Sequence, residues 1–392
     1  MSGMMVSCEP LNHILDGKQI SKEQAYEIFE FSKHNSDAIY KTANTLRNLH
    51  KKNTITFSKK AFFNLVNLCR DVCGYCTYKA EPGEQKASMM SKKNVQELSA
   101  LAKKYHCTEA LFVTGERPEE KYPEAKAWLK ENGFSSTAEY LVYASEIALD
   151  QGLFPHTNAG NLTKSEMNDL KKTNVSMGLM LENSSERMSE QKMPHYLAPS
   201  KTPKTRLQVL SNAGELKIPM TTGVLVGIGE TPHEIIDSLF AIKDLHDRFG
   251  HIQEIILQNF QPKQDTWMKN MPSAEENYFK TMVALARIIM PQMNIQIPPN
   301  LSPNSYQYFL DAGINDWGGI SPLTQDYVNP EFGWPQIEFV DEHTKNAGFE
   351  LKARFPIYPE IMNMTSPYLR DKSLYLGIVM RDKKNAYQEK FS

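Results

Sequence analysis

No stretch of the chain approaches the ~18 consecutive apolar residues of a membrane-crossing helix. The opening residues, MSGMMVSCEPLNHILDGK, carry neither a basic start nor the long apolar run of an export signal. A cytoplasmic protein is expected. An excess of one charge is missing too: 44 Lys and Arg stand against 46 Asp and Glu, a net charge of −2. With no positive field to draw a phosphate backbone, neither nucleic acid nor a membrane surface is an expected partner. Cysteine is scarce, with 5 in 392 residues. An odd, small number in so long a chain excludes a disulfide framework and leaves thiolate chemistry or metal ligation. Nucleotide-phosphate patterns are absent as well. No G-x-x-x-x-G-K-[ST] occurs, and the glycine-rich stretch at 223–230 lacks the third glycine of G-x-G-x-x-G.

What is present is the composition of an ordinary globular enzyme, 41% hydrophobic and 23% charged. Residues 1–55 read as a helical extension with two polar helices, 22–33 and 36–51, the first opened by a Ser21/Gln24 capping box; this segment is expected to flank or cover a site. From residue 56 to about 365 short apolar runs alternate with amphipathic stretches, the signature of βαβ units and a parallel sheet. The runs are 62–66, 110–114, 153–157, 175–181, 220–227, 254–259, 294–298 and 312–317. Helical patterns fall between them at 91–105, 137–151, 203–216, 232–249 and 274–290. Eight β-then-α units predict a (βα)8 TIM-type barrel. Residues 366–392, ending basic and polar, read as a tail.

Three of the five cysteines crowd together in Asn67-Leu-Cys69-Arg-Asp-Val-Cys73-Gly-Tyr75-Cys76, a C-x-x-x-C-x-x-C directly after the first strand. Barrel enzymes build their sites on that face. Three thiolates on one loop can hold three corners of a [4Fe–4S] cube and leave the fourth iron open to a small molecule. Structural zinc is the competing reading and needs a fourth ligand. His106 or Cys107 would have to supply it, and both precede the second strand, at the opposite end of a parallel barrel. Cys107 reads as a small buried apolar residue and Cys8 as a terminal bystander.

C-x-x-x-C-x-aromatic-C after the first strand of a parallel barrel resembles the radical S-adenosylmethionine (SAM) superfamily. The resemblance implies that Cys69, Cys73 and Cys76 ligate a [4Fe–4S] cluster whose open iron chelates SAM, and that one electron releases a 5′-deoxyadenosyl radical. It implies further SAM contacts at strand ends. Thr114-Gly115-Glu116 resembles the Gly-Gly-Glu segment that receives the amino group, with Thr in place of the first Gly. Glu182 resembles a carboxylate on the ribose or amino group, and Arg206 an arginine paired with the SAM carboxylate. Asn158 ends the third strand among the cofactor contacts, and 223–230 with Gly227 resembles an adenine-contacting stretch, joined by the main chain of Tyr75.

The later strand ends narrow the resemblance. Gln258-Asn259-Phe260-Gln261-Pro262-Lys263, Pro298-Pro299-Asn300-Leu301 and Asn315-Asp316-Trp317-Gly318-Gly319 together are similar to the CofG-type family of 7,8-didemethyl-8-hydroxy-5-deazariboflavin (FO) synthases over residues 10–360. That family implies a lyase-type ring closure with ammonia release. The substrate would be an adduct of tyrosine's hydroxybenzyl carbon and a ribityl-diaminouracil, made by a CofH-type partner enzyme, with a low-potential donor such as ferredoxin supplying the electron. Gln258, Asn259, Asn300 and Asp316 are the expected substrate contacts, since amide and carboxyl groups suit an uncharged adduct. Asp316, His156 or Glu116 would move protons, with Asp316 and His156 the leading catalytic candidates. The competing family is a sister radical SAM enzyme, the CofH type or an aminofutalosine-type synthase. Gly74-Tyr75-Cys76-Thr77 and the eighth-strand segment favour the CofG type.

Overall fold

Each of the eight expected runs overlaps a strand in the computed structural model, which describes residues 8–372. The strands are β1 (Thr54–Val66), β2 (Glu109–Thr114), β3 (Phe154–Asn158), β4 (Ser176–Gly178), β5 (Met220–Val226), β6 (Ile252–Asn259), β7 (Asn294–Gln296) and β8 (Asp316–Ile320). They pair in chain order from β2 to β8, then β8 to β1 and β1 back to β2, all parallel, so the barrel closes as expected. Local chemistry sets the helices between them. Thr231 and Glu234 form a reciprocal capping box at the start of Pro232–Phe249, and Gly250, at φ 66°, ends it. The Ser136 side chain caps Thr137–Asp150 by accepting from Glu139 N.

Two features were not legible beforehand. A ninth strand, β9 (Glu350–Arg354), pairs in parallel with the first five residues of β1, below the point where β1 meets β2. Because Lys59 and Lys60 interrupt the apolar pattern, the sequence places the start of β1 at Phe62, yet both lysines lie within the strand and are buried. The second feature is the interior. A filled barrel of this type packs branched apolar residues in layers, whereas the lower interior here is a polar network. Ser58 donates to Glu109, and His156 Nδ1 lies 2.7 Å from Ser176 Oγ. Arg354 of β9 bridges Glu254 of β6 at 2.7 Å and Asp316 of β8 at 2.6 and 2.8 Å. Tyr358 adds a hydrogen bond to Glu254 at 2.7 Å. These charges are sealed from water and satisfy one another, the condition under which buried charge is tolerated.

The extension departs from expectation in position. Within Lys22–Lys51 the backbone leaves helical geometry at Asn35 (φ −152°), so two helices meet there, as the sequence predicts, the first opened by the expected Ser21/Gln24 box. Its Tyr26 hydroxyl donates to Asp237, and Arg47 donates to the Leu310 and Ile314 carbonyls just before β8. It lies along the outer helical layer, and none of its residues borders the cysteine-lined cavity described below, so it is a flank and not a cover. The expected tail begins with packed chain: Leu369 is buried with Ile357 and Ile361 under the barrel, while 373–392 lie outside the described residues. Among the described residues no helix is long and apolar enough to cross a membrane.

Candidate active site

The cysteine loop leaves the top of β1 and is pinned by backbone hydrogen bonds from three directions. Gly115 N donates to Val66 O at 2.7 Å, Arg70 N to Glu116 O at 2.8 Å, Val72 N to Leu197 O at 2.9 Å and Gly74 N to Pro194 O at 2.8 Å. Gly115 is required by close approach: a Cβ there would stand 2.0 Å from the Leu68 carbonyl oxygen. Glu116 N donates to Cys69 Sγ at 3.2 Å, the kind of contact that favours a thiolate. Cys69, Cys73 and Cys76 all border one cavity of ≈ 290 Å³ at the C-terminal face of the barrel. The expected separation of Cys107 holds, since it is buried below β2, at the far end.

Burial pushes the Cys69 thiol up to about 11 and the Cys73 thiol well above its ordinary value, despite Lys201 acting to lower the latter. Thiolates here need a cationic partner, and iron is one. Among the described residues no three His, Cys, Asp or Glu side chains converge on a single metal ion. Three thiols on one loop, all bordering one cavity, are a donor set that fits three corners of an iron–sulfur cluster.

Unpartnered acceptors stand beside the thiols. Glu116 Oε1 has no hydrogen-bond partner, although Arg70 and Arg117 lie 3.8 and 4.0 Å away, while its Oε2 accepts from Asn161 N at 3.0 Å. Glu182 accepts from Lys201 at 2.5 Å through Oε1 and leaves Oε2 without a partner. Burial by itself would raise the Glu182 carboxyl; Lys201, with His195 and Arg206, overrides it and holds the pKa below the usual value. Glu182 sits at φ 65°, a backbone region that non-glycine residues rarely occupy and that clusters at functional sites. Arg206 is buried, with Nε bound to Ser200 O at 2.9 Å. Asn158 also borders the cavity. Tyr75, Leu225 and Phe260, which pack together, also border the cavity, with the Tyr75 hydroxyl 3.0 Å from His195 Nε2.

Several expected site residues are elsewhere. Asp316 opens β8 instead of ending it, because the strand runs on through Gly318 and Gly319; its carboxylate is fully buried on Arg354, at the bottom of the barrel. His156 sits in the interior wall and does not border the cavity; its ring is bonded to Ser176, and burial lowers its pKa to about 4, so it is a neutral packing residue. Asn300 is also fully buried, donating to Asp326 Oδ2 at 2.9 Å and to Phe332 O at 3.2 Å. Gly227 faces Ala274, and its N–H is taken by Glu230 at 2.7 Å, so that motif closes on itself. Gln258 and Asn259 do border the cavity, Asn259 tied to Leu301 O at 3.0 Å.

The sequence also left residues unnoticed. The chain after β8 folds over the cavity and contributes Asp326, Val328, Asn329 and Trp334. Lys263 Nζ and Thr77 Oγ1 hold the Val328 carbonyl at 2.9 and 3.2 Å, while Asn300 holds Asp326. This cover comes from the C-terminal side, not from the N-terminal helices. Lys201, Gln296 and Lys60 complete the wall. None belongs to a motif; a lysine inside a strand was the one readable signal.

A parallel barrel, three thiols at its C-terminal face and free carboxylates beside them define a radical SAM enzyme, and the family model of the radical SAM superfamily matches residues 63–242. The chain is 47% identical over 307 residues to a 7,8-didemethyl-8-hydroxy-5-deazariboflavin synthase of Methanopyrus kandleri, covering 78% of this chain and 92% of that one. It is 42% identical over 327 residues to an FO synthase of Streptomyces avermitilis, covering 82% of this chain and 38% of the longer relative. Among solved structures, the FeFe-hydrogenase maturase HydG of Carboxydothermus hydrogenoformans shares the fold, at TM-score 0.72 and 20% identity, with 95% and 89% of the two chains covered. The chain belongs to the 7,8-didemethyl-8-hydroxy-5-deazariboflavin synthase family.

Proposed function

We propose that this chain closes the central ring of a deazaflavin: it takes the hydroxybenzyl adduct of a ribityl-diaminouracil, expels ammonia and yields 7,8-didemethyl-8-hydroxy-5-deazariboflavin. The observation that carries the reading is the continuity of one cavity, from three thiols and unpartnered carboxylates at its top to amide groups beneath them. When bound, a [4Fe–4S] cluster and SAM supply a 5′-deoxyadenosyl radical able to remove a hydrogen atom from an unreactive carbon.

The protein's part is to bind, orient and exclude water. Cys69, Cys73 and Cys76 hold the cluster. Glu116 and Glu182 offer free oxygens to the ammonium and hydroxyl donors of SAM, and Arg206 offers a planar guanidinium to its carboxylate. Tyr75, Leu225 and Phe260 give the adenine an apolar wall. Below them Gln258, Asn259, Gln261 and Gln296 present amides that match the edges of a uracil ring. The cover from residues 326–334 keeps solvent from a reactive carbon radical. A partner enzyme of the CofH type would supply the adduct; the Streptomyces relative, of which this chain spans 38%, has length for a second catalytic unit. A low-potential ferredoxin would supply the electron, and five free thiols suit a reducing cytoplasm.

Anaerobically reconstituted protein given SAM, a strong reductant and the adduct is expected to release 5′-deoxyadenosine together with a fluorescent deazaflavin. Deoxyadenosine without any deazaflavin would move the chain to a sister activity.

A further inference from the structure

Among the described residues, Lys60 is the one charged residue of the cavity wall that the proposed mechanism leaves unused and whose surroundings give it no hydrogen-bond or ion-pair partner. It lies in the middle of β1, 8% exposed, and borders the same cavity as the three cysteines. It stands six positions before the end of the strand at Val66, about 20 Å of extended chain, so it belongs to the deep end, far from the cysteine loop. Among the described residues its ammonium makes no hydrogen bond and no ion pair. What it touches is the face of Trp334, with Nζ 4.5 Å from the ring centroid. The Phe62 ring is next, at 5.7 Å. Trp334 arrives from the cover, and its indole N–H is itself buried with no acceptor.

An ammonium carries three donors, and an aromatic face satisfies the charge on one side only. Its other donors have no protein acceptor among the described residues, and the residue borders the cavity a ligand would fill. Leaving a buried cation without an acceptor is costly, so the arrangement fits a group completed by its ligand. Charged and titratable groups surround it: Glu109 on β2, His156 on β3, Glu254 on β6, Asp326 on the cover and Arg354 on β9. Each carboxylate among them already has another partner. Glu109 accepts from Ser58, Glu254 from Arg354 and Tyr358, and Asp326 from Asn300 and Asn329.

We propose that the Lys60 ammonium anchors a negatively polarised oxygen on the ring system of the substrate, fixing its deep end while the other end faces the thiols. This rests on the function proposed above, whose adduct carries such oxygens in two places, the uracil carbonyls and the phenol. Burial lowers the pKa of Lys60, so the ammonium is present below that lowered value and is lost as pH rises through it. Anchoring therefore weakens on the alkaline side earlier than an ordinary lysine would dictate.

The test is binding of the deazaflavin product, read by fluorescence and absorbance, to the cluster-loaded protein. Wild type is compared with Lys60→Met and Lys60→Arg, and the 8-hydroxylated product with an analogue lacking the hydroxyl. Lys60→Met is expected to weaken binding about tenfold, with Lys60→Arg close to wild type and holding its affinity to higher pH. A tenfold loss confined to the hydroxylated compound identifies the phenol oxygen; the same loss for both identifies a carbonyl. If the phenol is the group, its ionisation in the bound product shifts to lower pH in wild type and Lys60→Arg but not in Lys60→Met. Iron content equal to wild type shows that the variants are folded. Equal affinity of wild type and Lys60→Met for both compounds overturns the assignment of Lys60 alone. Failure of wild type to bind either compound overturns the function on which it rests.

Discussion

Cys73→Ala protein, reconstituted anaerobically with iron and sulfide, forms neither 5′-deoxyadenosine nor deazaflavin and stays far below the wild-type iron content. Cys73 is the middle thiol of the loop, and its electrostatic neighbours are Cys69, Cys76, Asp71 and Lys201. Two remaining thiolates cannot hold a cube that needs three protein corners and one open iron. The contrast is Cys107→Ala. Cys107 precedes β2 at the opposite end of the barrel, packed as an apolar residue. Its truncation should leave iron content unchanged. Iron analysis and visible absorption check both variants. Wild-type iron in Cys73→Ala, or colourless Cys107→Ala, would contradict this placement of the ligands.

The second large effect concerns a residue that sequence reasoning put in the wrong role. Asp316→Ala is expected to cost about 3–5 kcal/mol of stability, because it strips the Arg354 guanidinium of its bidentate partner inside the barrel. Arg354 then keeps Glu254 alone, and Thr56 and the Gly318 amide lose the acceptor they share. β9 carries Arg354 and pairs with the lower half of β1, so loosening this pair should free the ninth strand first. Thermal and denaturant unfolding of the cluster-loaded protein measure the loss. Asp316→Asn, which keeps the shape and half the acceptors, should fall between. Full stability with abolished ring closure would return Asp316 to the active site.

Asp316 shows why the site was only partly legible. The sequence reading treats a polar residue after an apolar run as a strand end, and 312–317 has that form. In the structure the apolar run precedes the strand, and Asp316-Trp317-Gly318-Gly319-Ile320 is the strand itself. Two glycines and an aspartate do not look like a strand because strand propensity reflects packing on a half-buried surface. Here the carboxylate is matched by an arginine 38 positions later, a pairing no local pattern encodes. The same holds at Lys60, where a charge inside β1 shifted the apparent start of the strand by eight residues. By contrast, the cysteine loop, Gly115, Glu116 and Glu182 were readable, since each lies at or soon after a strand end, where a TIM-type barrel gathers its functional groups, and Arg206 was readable on the helix Pro203–Glu215 that follows the fourth strand. The cover was invisible for a different reason. Residues 321–336 have no periodicity, and their placement depends on Asn300, Lys263 and Thr77, which come from distant segments.

The account depends on an iron corner that no protein side chain occupies. Electron paramagnetic resonance of the reduced, oxygen-protected cluster, recorded before and after adding SAM, reads that corner directly. The predicted result is a spectrum that changes on SAM addition in wild type, with the change weakened when Glu182 is replaced by glutamine. A spectrum indifferent to SAM, in protein carrying about four irons per chain, would mean that all four corners are closed by protein and would contradict the account.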